Sequence, residues 1–148
     1  ATAAWQILPE IGEAQVPLLL GPIRTGPNTF ETAAARLDNA ALVAAAGVPF
    51  AIQTSGALNV RALPHEAAWA VSGGLPADLA LLAITRYPAE IFGVADRIGS
   101  LAPGLAADLV LWDGHPLETN SRARYVIIEG QLVNDAALFE PFPDGPGW

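Results

Sequence analysis

The 148-residue chain contains no cysteine, no methionine and no lysine. Without cysteine there are no disulfides and no thiolate metal sites, and redox chemistry gives no clue to the compartment, which stays open. All seven basic residues are arginines, set against fifteen acidic residues for a formal net charge of −8. They are spread along the sequence rather than clustered, so neither nucleic acid nor an anionic membrane surface is expected as a partner. No apolar run reaches membrane-spanning length. The absence of methionine extends to position 1, so the chain is expected to be processed or, as the favoured reading, a piece of something longer. What the sequence has in quantity is apolar side chains, 52% of the total. That is enough to build a sizeable core in one domain's worth of residues.

The first third reads helix, strand, helix, strand. Residues 1–13 look like the end of a helix, with Trp5, Leu8 and Ile11 as its apolar positions. Residues 16–20, VPLLL, form a short apolar run, and a loop punctuated by glycine and proline follows over 22–28. Thr29 is placed to cap a helix over 30–46, in which Phe30, Ala34, Leu37, Ala41 and Ala45 share one face. Gly47 ends it and VPFAI (48–52) is a second apolar strand. Continuous apolar strands suit parallel pairing with helices on both faces, so a βαβ unit is predicted. In the middle, Pro64, Pro76 and Pro88 each fall near the start of a predicted helix, and Gly73–Gly74 and Gly93 near an end.

The last third changes character. Pro103-Gly104 suits a type II turn, ADLVLWDG and RYVIIEGQLV are rich in β-formers, and Glu129-Gly130 is a predicted hairpin turn. Residues 135–148 are expected to be an irregular Pro/Gly-rich tail. An α/β segment followed by a small β module is an unusual order for one compact domain. The β strands are expected to need another sheet.

The stretch GLPADLALLAITRYPAEIFGVADRIGSLAPGLAADLVLWDGHPLE, with AIT and PA over 83–89, DRIGSL over 96–101, and VIIEGQLV after it, resembles the C-terminal part of the amidohydrolase superfamily. The likeness runs over roughly residues 16–133 and is strongest to imidazolonepropionase-like and related cyclic-amide or dipeptide hydrolases. The fold it implies is α/β: the C-terminal fragment of a (β/α)8 TIM barrel, namely its last two strands and following helices, plus the C-terminal half of a small β-sandwich. Residues 1–95 would end the barrel domain, 96–134 would form the sandwich segment and 135–148 the tail. The N-terminal remainder of the same barrel would be a required partner, with a small-molecule substrate; oligomerisation is left open.

The resemblance also implies chemistry. Family members bind one or two divalent metals at the C-terminal mouth of the barrel, where the metal activates water for attack on an amide carbonyl. A zinc-type metal is therefore implied for the full-length protein and none for this fragment alone, because most histidine ligands come from earlier strands. The last strand usually ends in a metal-binding aspartate. Aligning FAIQTSG with that motif puts Ser55 at the aspartate position, and a serine neither matches a carboxylate's charge nor acts as a base at neutral pH. The catalytic residues thus stay unassigned, and no metal ligand is named. Thr54 and Ser55 are expected to line the mouth, or else to satisfy the strand end. Arg61 is a candidate for gripping a substrate carboxylate or carbonyl, against an ion pair with Glu66; Asn59 is placed similarly. Arg24, in the loop after the other strand and on the same side of the barrel, is a further candidate for touching substrate. His65 and His115 are too far apart in sequence to suggest a metal site. Asp96 and Arg97 read as structural pairs, Asp108 and Asp113 as turn and cap residues, and Trp69 and Trp112 as core aromatics.

The function implied is hydrolysis of a non-peptide carbon–nitrogen bond, in a cyclic amide or related small substrate. The alternative is a non-catalytic relative that keeps a pocket but has lost the metal-binding aspartate.

Overall fold

A computed structural model describes residues 3–26, 29, 30 and 32–134. The chain divides into two compact units, Ala1–Ser100 and Leu101–Trp148.

The first unit is a mixed α/β layer. A 3-10 turn over Ala4–Ile7 leads into α1 (Leu8–Ala14), then β1 (Leu18–Leu20), α2 (Asn39–Ala45) and β2 (Phe50–Ile52). The two strands pair in parallel, Leu18 with Phe50, Leu19 with Ala51 and Leu20 with Ile52. The pairing is extended at both ends, where Leu18 N–H donates to the Pro49 carbonyl (2.9 Å) and Gln53 N–H to the Leu20 carbonyl (2.8 Å). The βαβ expectation therefore holds for the strands. The crossover helix is shorter than expected: residues 30, 32–34 and 37–38 form turns, Phe30 is 94% exposed, and helix begins only at Asn39. Arg36 grips Asp38 at the start of that helix through two hydrogen bonds of 2.7 and 2.6 Å. Thr29 does not cap α2; Asp38 holds the N-cap position.

Gly47 ends α2 as expected. Its φ of +68° is open to a residue without Cβ, and Val48 N–H reaches back to the Val43 carbonyl at 3.3 Å, a Schellman cap. The same six-residue closure recurs as Leu75 to Ala70 and Val94 to Ala89.

After β2, 3-10 turns over Ala57–Ala62 lead to α3 (Leu63–Ser72), α4 (Ala77–Leu82) and α5 (Arg86–Ile91). Pro64 lies in the first turn of α3, Pro76 caps α4 and Pro88 is third in α5. Leu20, Val43 and Leu75 are the largest fully buried side chains. Phe50 meets Tyr87 edge-on at 6.0 Å, and Ile52 N–H donates to the Ala83 carbonyl at 2.9 Å, which ties β2 to the helical layer. The described residues form no closed barrel.

The second unit is an antiparallel sheet of β3 (Leu109–Trp112), β4 (Ala123–Ile128) and β5 (Gln131–Asn134). Its turns are those the sequence predicts. Leu105 N–H closes a turn onto the Ala102 carbonyl (3.2 Å) around Pro103-Gly104. Glu129 and Gly130, both at positive φ, make the two-residue β4–β5 loop. The predicted tail, 135–148, lies outside the described residues.

Candidate functional site

Ligands of parallel α/β sheets bind beyond the carboxyl ends of the strands, so the ends of β1 and β2 are where a site belongs. These ends are locked together by a close backbone approach. A Cβ on Gly21 would collide with the Gln53 carbonyl oxygen, and Gly21 has a φ of +143°, so only glycine fits there.

Beyond β2, Thr54 is half-buried and donates from Oγ1 to the Gly56 carbonyl at 3.3 Å. Ser55 is exposed and accepts a hydrogen bond from Asn59 Nδ2 at 3.2 Å. Arg61 is exposed and, among the described residues, makes no ion pair.

The expected Arg61–Glu66 pair is absent. Glu66 instead accepts the backbone N–H of Ile23, in the loop after β1, at 2.6 Å. One turn further along α3, Trp69 takes the Arg24 guanidinium on its face, 4.6 Å from the ring centroid. Trp69 is therefore not the core residue expected but 38% exposed, with one face covered by arginine. Trp112 is half-buried.

Glu66 and Trp69 are the residues that reading the sequence missed. The available signal was their i, i+3 spacing, which puts both on one helix face. Nothing local pointed that face at a loop more than forty residues earlier.

The other candidates are dispersed. His65 is exposed in the first turn of α3, and His115 accepts Leu117 N–H at 3.3 Å in the second unit. Among the described residues, no three His, Cys, Asp or Glu side chains are grouped to hold a metal ion. Asp96 and Arg97 are exposed and, among the described residues, not in ion pairs, contrary to expectation. Asp108 and Asp113 are turn residues as read, accepting the N–H groups of Glu129 and Arg122, both at 2.7 Å. A cleft of about 540 Å³ lined by Pro17, Val48, Phe50, Tyr87 and Ile91 opens at the amino ends of the strands, away from their carboxyl ends.

A sequence profile described as the amidohydrolase family matches residues 23–139. The chain belongs to the amidohydrolase family. It is 38% identical over 100 residues to an imidazolonepropionase of Chromobacterium violaceum, covering 63% of this chain and 24% of that protein. It is 36% identical over 97 residues to adenine deaminase 2 of Jannaschia sp., covering 64% of this chain and 15% of that one. An amidohydrolase structure from Thermotoga maritima superposes with a TM-score of 0.85 at 32% identity, over 90% of this chain and 35% of the other. The chain thus spans less than a quarter of the length of these two sequence relatives and about a third of the structural one.

Proposed function

We infer that this amidohydrolase-family chain forms the C-terminal end of a (β/α)8 barrel, with β1 and β2 as its last two strands and the three-stranded sheet as half of a β-sandwich. The full-length protein then hydrolyses a non-peptide carbon–nitrogen bond in a small substrate, a cyclic amide by preference. The observation that carries this reading is the parallel β1–β2 pair, whose carboxyl ends meet at Gly21 and Gln53 and open onto arginine and hydroxyl side chains.

In this reading Thr54 and Ser55 line the mouth and Arg61 and Arg24 contact the substrate. Gln53, Thr54 and Ser55 do not fit a metal ion: their oxygens are neutral, and Ser55 stands where the resemblance calls for a carboxylate. A zinc-type metal of the full-length protein would take its ligands from outside this chain. Calorimetry on the 148-residue chain at neutral pH is expected to give no tight, stoichiometric zinc binding.

The deciding assay offers the full-length protein a panel of cyclic amides, dipeptides and aminopurines, after metal removal and after adding zinc back. Ring opening of a cyclic amide is expected. Turnover of dipeptides or aminopurines alone would move the substrate class, and no turnover of any compound would sink the hydrolase reading.

A further inference from the structure

Two arginines of the first unit stack on tryptophans. The Arg36 guanidinium lies 4.9 Å over the Trp5 ring, and its Nε and Nη2 donate to the two oxygens of Asp38. It is a guanidinium fork placed over a ring and already holding a carboxylate. The Arg24 guanidinium lies 4.6 Å over the Trp69 ring and, among the described residues, pairs with no carboxylate. This is notable in a chain with a net charge of −8.

Attraction of a guanidinium to a ring face restrains the group without using its N–H donors on a carboxylate. The loop that carries Arg24 is itself held. The buried Ile23 gives its N–H to Glu66, and Gly21 packs on the Gln53 carbonyl. Arg24 is exposed, and it lies beyond the carboxyl end of β1.

We propose that Arg24 is a specificity-determining residue that takes a carboxylate of the substrate in a two-pronged hydrogen bond, with Trp69 and Glu66 as positioning residues. The substrate class is then an amide or cyclic amide bearing a free carboxylate. That name for the ligand rests on the hydrolase reading of the mouth; the capture of an anion does not.

Calorimetry on the full-length protein tests capture without requiring turnover, with glutarate as the probe and neutral glutaramide as the control. Wild type binds glutarate saturably, and Arg24→Gln weakens it roughly tenfold or more while leaving glutaramide unchanged. Arg24→Lys restores part of the affinity, since an ammonium supplies charge without the fork. Trp69→Leu weakens glutarate roughly threefold and Trp69→Phe recovers it, because a ring face remains. Glu66→Gln, which keeps an acceptor for Ile23, preserves binding. A merely structural Trp69 would lower melting temperature without this selective loss and rescue.

Failure of wild type to bind glutarate, or equal losses for glutarate and glutaramide in Arg24→Gln, overturns the proposal. Where the protein also turns over carboxylated and neutral amides, Arg24→Gln is expected to raise KM for the carboxylated one only. An equal effect on both overturns the Arg24 assignment and leaves the hydrolase reading standing. Glutarate capture through Arg24 without turnover of any amide does the reverse.

Discussion

Among the described residues, all fifteen buried hydrophobic ones lie between Ala4 and Ala89, within the α/β unit, and none in the β unit is buried. There Val110, Leu111, Tyr125, Ile128, Leu132 and Val133 remain 42% to 55% exposed. The two units are thus specified by different physics. The first is held by side chains removed from water, which is non-directional and scales with area. The second is held by backbone pairing and by turns whose polar groups are individually satisfied, such as Asp108 on the Glu129 N–H and Gly130 N–H on the Ala107 carbonyl. A three-stranded sheet normally needs a packed apolar face to be stable by itself. This one leaves apolar side chains half in water on both faces, since Val110 and Leu111, like Leu132 and Val133, are strand neighbours that point opposite ways; the proposed sandwich would cover one of those faces.

The largest effect is expected where the first unit has no room at all. Gly21→Ala drives a Cβ into the Gln53 carbonyl at an unfavourable φ, so the carboxyl ends of β1 and β2 must separate. The cost should be about 4 kcal/mol or more. Chemical denaturation would show it, and a variant as stable as wild type would mean that the two strand ends are not in contact.

Next comes Leu20→Ala against Ile128→Ala. Leu20 is fully buried and should lose about 2–5 kcal/mol with its cavity, whereas half-exposed Ile128 should lose about 1 kcal/mol or less. Equal losses would break the contrast between the units. A large loss at Ile128 in the full-length protein alone would sharpen it, since it would place that side chain under a covering layer.

What the sequence disclosed follows the same division. Features set by a few adjacent residues were legible: the caps at Gly47 and Gly93, the Pro103-Gly104 turn, and the Glu129-Gly130 loop that fixes β4 against β5. Both apolar strands and their parallel pairing were legible because a run buried on both faces has few other uses. The helix from Phe30 was read too long, since periodic spacing alone does not provide a surface to pack on, and Phe30 is almost wholly exposed. The positions of Thr54, Ser55 and Arg24 beyond the carboxyl ends of the strands follow from tracing each strand to its end. The clasp from Glu66 to Ile23, 43 residues apart in sequence, could not be read that way. Its existence depends on α3 returning over the loop after β1, a matter of tertiary packing that no local pattern encodes.

A moderate effect is expected at that clasp. Glu66→Ala leaves the N–H of buried Ile23 without its acceptor, which should cost about 1–3 kcal/mol. Glu66→Gln should recover most of it. Thermal melts of the two variants separate loss of the hydrogen bond from loss of the charge, and equal destabilisation by both would show that the charge, not the hydrogen bond, is what matters.

The smallest effect uses one carboxylate from each unit. The Arg36 guanidinium, donating to Asp38, holds that carboxyl below its usual range against an opposing desolvation. Asp113 is also held low, first by the backbone N–H of Arg122 and then by the charge of Arg124, 3.0 Å away. A carboxyl depressed in the folded state binds fewer protons there than in the unfolded chain. Its contribution is therefore present in full above the unfolded value of about 3.9 and is lost as pH falls through the folded one. Both side chains are well solvated, so the slopes should be shallow. Asp38→Asn and Asp113→Asn should each flatten the acid limb below about pH 4. The indole N–H resonance of Trp5, stacked on Arg36, should report the first variant, and that of Trp112, adjacent to Asp113, the second. Salt at about 0.5 M should shrink the Asp38 effect more, because its partner is a side-chain charge and the leading partner of Asp113 is a backbone N–H. Acid profiles identical among wild type and both variants would show that neither carboxylate is held in the folded state as described.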